Sequence, residues 1–78
     1  PWSRRTVEWV IRNEWVTTLD DLVERRLMLI FAPTITRPLL QDLAECLVET
    51  GRLDAPDVLP TVDHTIQRLQ QHYGRAVR

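Results

Sequence analysis

Few residues in this chain have both the type and the company that chemistry requires. His64 and His72 stand eight positions apart on one predicted helix, about 12 Å by helical rise, too far to share a zinc ion. Ser3 is the single serine, and no base stands near it to form a nucleophile–base pair. Cys46 is the single cysteine, so no internal disulfide is possible and a reducing compartment is the default. With no histidine or arginine beside it in sequence to lower its pKa, it reads as a semi-buried structural thiol. Gly51 and Gly74 are the only glycines, which excludes the Gly-rich loops that cradle a dinucleotide or a phosphate. The remaining polar set is Glu14 with Arg25 and Arg26, which could hold an anion but more commonly joins helices as an ion pair. No catalytic residue, metal ligand or cofactor-binding residue follows from these patterns.

The elements that position these residues read as helices. Thr18, Leu19, Asp20 and Asp21 have the Thr-x-x-Asp form of a helix-opening capping box. A helix is therefore predicted from Leu19 to the turn Ala32-Pro33-Thr34, with Leu19, Leu22, Val23, Arg26, Leu29 and Ile30 on its buried face. An arginine inside that stripe needs a partner, and Glu14 is the candidate; Asp21 and Arg25 can pair on the surface. Upstream, Ser3 caps a predicted helix from Arg4 to Trp15, with Thr6, Val7, Val10, Ile11 and Glu14 on one side and Glu8 paired to Arg12. Trp2, Trp9 and Trp15 add bulk there; Trp9 and Trp15 are expected in or at the rim of the core, the alternative being a surface covered by another domain. Downstream, Thr36 and Pro38 open a helix carrying Leu39, Leu40, Leu43, Ala44, Leu47 and Val48, closed by Gly51. After a connector from Arg52 to Pro60, a last helix is predicted to Tyr73 with Val62, Ile66, Leu69 and Tyr73 inward, Gly74 as its stop and a frayed tail. The predicted fold is all-α: one small bundle of four short helices over residues 1–78, with an added short turn near Asp57.

Composition agrees with a soluble globular domain, 44% hydrophobic and 27% charged. Ten basic residues, all arginine, meet eleven acids for a net charge of −1, so no overall basic balance points to nucleic acid. The absence of lysine is more simply a matter of genomic base composition than of function. Leu27 to Ala32 is the longest apolar run, far short of the roughly 20 residues of a membrane span. The chain starts at Pro1 without an initiator methionine, which suggests an excised or processed piece.

The run from Val7 to Phe31 resembles the opening of the C-terminal helical domain of FAD-dependent glycerol-3-phosphate dehydrogenases and the related glycerophosphate oxidases. Arg12, Glu14, Thr18, Asp21, Leu22, Arg25 and Arg26 match that family's pattern at unbroken spacing, and Asp42-Leu43-Ala44 looks like its next segment. Thr17 stands where an arginine is common and Leu27 where a threonine or serine often follows. The likeness extends from Val7 to Gly51, with the last helix matching only in outline. It implies a parent enzyme that oxidises sn-glycerol 3-phosphate to dihydroxyacetone phosphate through FAD and passes the electrons to quinone or oxygen. It implies also that flavin, substrate and catalytic residues lie in an N-terminal flavin domain of the same polypeptide, in the cytoplasm or at the inner face of its membrane. This segment would hold no cofactor and would act structurally. Arg12, Glu14, Thr18, Asp21, Arg25 and Arg26 are the ion-pair and interdomain candidates, expected to form a buried or half-buried network that shapes the docking surface. Two rival classes are a freestanding helix-turn-helix DNA-binding module, disfavoured because acids match the scattered arginines, and a self-associating scaffold module.

Overall fold

The computed structural model describes residues 3–78, the Phe31 side chain excepted, so Trp2 lies outside the described residues. The first helix, α1 (Arg4–Asn13), starts where Ser3 Oγ accepts the Thr6 N–H at 3.1 Å, and it buries Val7, Val10 and Ile11. It ends two residues before the predicted Trp15. Trp15 adopts a left-handed conformation (φ 56°), and the Val16 N–H reaches back to the Ile11 carbonyl at 3.3 Å. That bond pattern belongs to a helix stop that glycine ordinarily supplies, so the residue type gave no warning of it.

The second helix, α2, begins as predicted: Thr18 Oγ1 accepts the Asp21 N–H at 3.1 Å. After a first turn over Leu19–Asp21 it widens into a π-helical turn over Leu22–Arg26, with the Leu27 N–H bonded to the Leu22 carbonyl at 2.8 Å. Met28 is left-handed (φ 52°), and a separate 3₁₀ turn follows over Leu29–Phe31. The single long helix expected from Leu19 to Pro33 is therefore broken. The physical reason lies in which side chain faces the core. In a regular α-helix Arg26 shares the face of Leu22 and Val23, whereas the wider turn swings Leu27 inward (6% exposed) and leaves Arg26 at the rim.

The third helix, α3 (Arg37–Glu49), is capped by Thr36 Oγ1 on the Leu39 N–H at 3.2 Å and buries Leu40, Leu43, Ala44, Cys46 and Leu47. Gly51 (φ 78°) ends it, with the Arg52 N–H on the Leu47 carbonyl at 2.8 Å. A 3₁₀ turn over Ala55–Asp57 supplies the added short turn and leads into α4 (Val58–Tyr73), stopped by Gly74 at φ 62°. Val62 and Leu69 of the predicted α4 stripe are fully buried and Ile66 is half-buried, while Thr65 joins the buried side and Tyr73 is exposed.

These four helices form a small all-α bundle in which α3 touches each of the other three. The radius of gyration, 11.4 Å, matches the roughly 11.5 Å of a compact domain of this length. Ile11, Val16, Leu19, Leu22, Leu40 and Leu69 are among the side chains sealed in its core. The predicted frayed tail is instead held. Val77 bridges to Ile35, the Arg78 N–H bonds the Ile35 carbonyl at 2.9 Å, and Arg75 Nη1 donates to the Ile30 carbonyl. Trp9 (60% exposed) and Trp15 (81%) are likewise outside the core. Trp9 falls two residues from both Val7 and Ile11, which puts it on the opposite side of α1 at 3.6 residues per turn. Among the described residues no helix is long and apolar enough to cross a membrane.

Candidate functional site

Polar side chains gather at three junctions and along one helix face. At the α1–α2 junction, the stop at Trp15 turns the chain so that Glu14 faces α2. Arg26 Nη1 stands 3.3 Å from Glu14 Oε1 and Arg26 Nε 3.7 Å from Asp21 Oδ2, while Arg25 Nε lies 3.9 Å from Asp21 Oδ1. Thr18 is occupied in capping α2. Arg12 stands apart, 4.0 Å from Glu8, and does not join Glu14 or Asp21. The Arg25 side chain is largely in solvent while Asp21, Arg26 and Glu14 are partly buried, so the network is half-buried at Asp21 and Arg26 and open at Arg25. Each such pair contributes about 0.2–1 kcal/mol.

The better-enclosed ion pair joins α2 to α4. The Glu24 side chain is 9% exposed. Its carboxylate accepts hydrogen bonds from Arg68 Nε, from Arg68 Nη2 at 3.1 Å and from the Tyr73 hydroxyl at 2.8 Å. The Arg68 hydrogen bonds hold the Glu24 carboxyl below its usual range, outweighing burial, which acts in the opposite sense; Tyr73 adds to the lowering. The same bond to Glu24 raises the Tyr73 hydroxyl. Glu24 and Arg68 stand forty-four positions apart, and no local pattern connects them, so the pairing is not legible in the sequence.

A third cluster links the start of α2 to α4. Thr65 Oγ1 donates to Asp20 Oδ1 at 2.8 Å, and His64 Nε2 lies 3.1 Å from Asp20 Oδ2. The cluster borders a cavity of about 260 Å³ that also meets Thr17, Thr61, Leu47 and Leu53. Aspartate, histidine and threonine together suggest nucleophilic catalysis. The arrangement is wrong for it, because the Thr65 hydroxyl gives its proton to the carboxylate and is not held against the imidazole that would have to remove it.

The outer face of α1 forms an open groove of about 500 Å³ among Arg4, Arg5, Glu8, Trp9, Arg12 and Asn13. Arg4 is anchored to α3 through Glu45 at 3.6 Å and Glu49 at 3.3 Å. On the inner side, burial pushes the Cys46 thiol up, although α3 and α1 bring Arg4 close enough to pull it the other way. Arg4 is distant in sequence, so this neighbour could not be foreseen. Among the described residues no three histidine, cysteine, aspartate or glutamate side chains are grouped to hold a metal. Gly51 and Gly74 each end a helix at positive φ. No family model, curated protein or solved structure matches this chain.

Proposed function

We propose that this chain is the helical accessory domain of an FAD-dependent glycerol-3-phosphate dehydrogenase, and that its own role is structural. The reading is carried by one observation, the unbroken spacing of Arg12, Glu14, Thr18, Asp21, Leu22, Arg25 and Arg26. Further support comes from what those residues do. Thr18 caps α2, Leu22 is fully buried, Glu14 and Arg26 tie the end of α1 to α2, and Asp21 pairs with Arg25 and Arg26 within α2. A block of this kind supplies a rigid face to a neighbouring domain and no reacting group. Oxidation of glycerol 3-phosphate to dihydroxyacetone phosphate, with FAD as hydride acceptor and quinone or oxygen beyond it, belongs on this reading to the flavin domain that precedes it. That parent would act in the cytoplasm or at the inner face of the cytoplasmic membrane.

The test is made on the complete polypeptide that contains these residues. Its reading frame is expected to encode a strand–turn–helix with Gly-x-Gly-x-x-Gly. The purified protein is expected to show flavin absorbance that glycerol 3-phosphate bleaches under anaerobic conditions. A polypeptide without flavin, or a flavin indifferent to glycerol 3-phosphate, overturns the proposal.

A further inference from the structure

Helix α1 differs in charge from the chain it belongs to. Arg4, Arg5 and Arg12 against Glu8 leave it at +2, so the remaining residues carry −3 of the net −1. Arg5, Trp9 and Arg12 follow one another at four- and three-residue intervals and therefore share a face. That face is the outer wall of the groove, and Trp9 is 60% exposed on it. Among the described residues no carboxylate lies within ion-pair distance of Arg5, and Arg12 reaches Glu8 only at the 4.0 Å limit. Arg4 is already engaged by Glu45 and Glu49, and the Asn13 side chain bonds the Trp9 carbonyl at 2.9 Å. An indole thus stands in solvent between Arg5, which no described carboxylate meets, and Arg12, which Glu8 holds only loosely.

We propose that this face of α1 docks an acidic polypeptide segment, with Trp9 as the apolar anchor and Arg5 and Arg12 each meeting a carboxylate. Tryptophan and arginine are the residues most enriched where binding energy concentrates in protein interfaces, and a planar guanidinium matches a carboxylate in two parallel hydrogen bonds. A long polyanion fits less well. A single-stranded nucleic acid needs a row of stacking platforms along a basic track, whereas α1 offers one indole and the chain outside it sums to −3. A lipid surface fits no better, because the apolar side of α1, Val7, Val10 and Ile11, is already turned into the core. On the accessory-domain reading the acidic segment belongs to the flavin domain, and this identification of its owner rests on that reading.

Residues 1–78 contain no lysine, so an amine introduced there is unique within this segment and can be located by mass spectrometry. In the complete polypeptide, Arg5→Lys and Arg12→Lys each place one amine on the groove, and zero-length carbodiimide coupling followed by mass spectrometry then reports any carboxylate in contact. Coupling to an aspartate or glutamate outside residues 1–78 is expected from both positions and not from an Arg37→Lys control, at a position whose arginine pairs with Asp63. Trp9→Ala in the Arg5→Lys background is expected to cut that yield about tenfold or more, the scale of losing an interface anchor; circular dichroism checks that it remains folded. Coupling confined to residues 1–78, within one copy or between isotopically mixed copies, overturns the proposal, as does a yield no greater than the control. A polypeptide that couples but carries no flavin leaves the docking face standing and removes the flavoenzyme reading. One that carries flavin and does not couple does the reverse.

Discussion

Replacing Glu24 by glutamine isolates the ion pair between α2 and α4. The change preserves volume and removes the charge that three hydrogen bonds from Arg68 and Tyr73 address. Hydrogen bonds to a charged partner contribute about 1.5–3 kcal/mol when both groups are enclosed. Glu24 is 9% exposed but the Arg68 side chain is 40% exposed and can recover water, so the loss is discounted to about 1–2 kcal/mol. For a domain of this size that lowers Tm by about 4–16 °C. The pH dependence is the sharper signature. The Glu24 carboxyl titrates below its ordinary 4.5 in the fold. The unfolded chain therefore takes up the proton first as pH falls, and the stability Glu24 contributes is complete above that ordinary value and lost as pH drops through the folded one. Thermal unfolding followed by far-ultraviolet circular dichroism should show the full gap between wild type and Glu24→Gln at about pH 7 and a markedly smaller gap at about pH 3. Equal gaps at the two pH values, or no gap at neutral pH, would refute the reasoning.

Three other outcomes follow from the same geometry. Met28→Gly is expected to stabilise the domain by about 0.5–1 kcal/mol, because glycine adopts the left-handed conformation without strain and Met28 is 55% exposed with little burial to lose; the urea midpoint should rise with an unchanged slope. A double-mutant cycle on Glu14 and Arg26 should give a coupling of about 0.2–1 kcal/mol that fades in high salt, and zero coupling would rule the pair out. Deleting Arg75 to Arg78 removes the bonds to the Ile30 and Ile35 carbonyls and should lower stability by about 1–2 kcal/mol, with faster amide exchange in α4 as the accompanying readout.

The boundaries that could be read from sequence are those with a local cause. Ser3, Thr18 and Thr36 each accept an N–H three residues ahead, and Gly51 and Gly74 each adopt the positive φ that ends a helix. Such signals act within one turn, so the order of residues contains them. Trp15 and Met28 take the same left-handed conformation with no glycine to announce it. Both lie where burial competes with helical continuation. Ahead of Met28 a regular helix would have kept Arg26 and not Leu27 against the core, and the domain adopts the π turn instead. Of the candidate residues, Glu14, Asp21, Arg25 and Arg26 come together because their spacing within two adjacent helices is short, whereas Arg12 points along a different side of α1.

Sequence alone determined that this protein is a helical bundle, where most of its helices begin and that they carry apolar stripes, since capping chemistry and 3.6-residue periodicity operate between near neighbours. Only the tertiary structure decided that Glu24 meets Arg68 and Tyr73, that the last residues are tied to Ile30 and Ile35, and that Trp9 stands outside between two arginines. Those outcomes depend on which faces win the limited interior of a small domain, and that competition is settled among residues far apart in the chain.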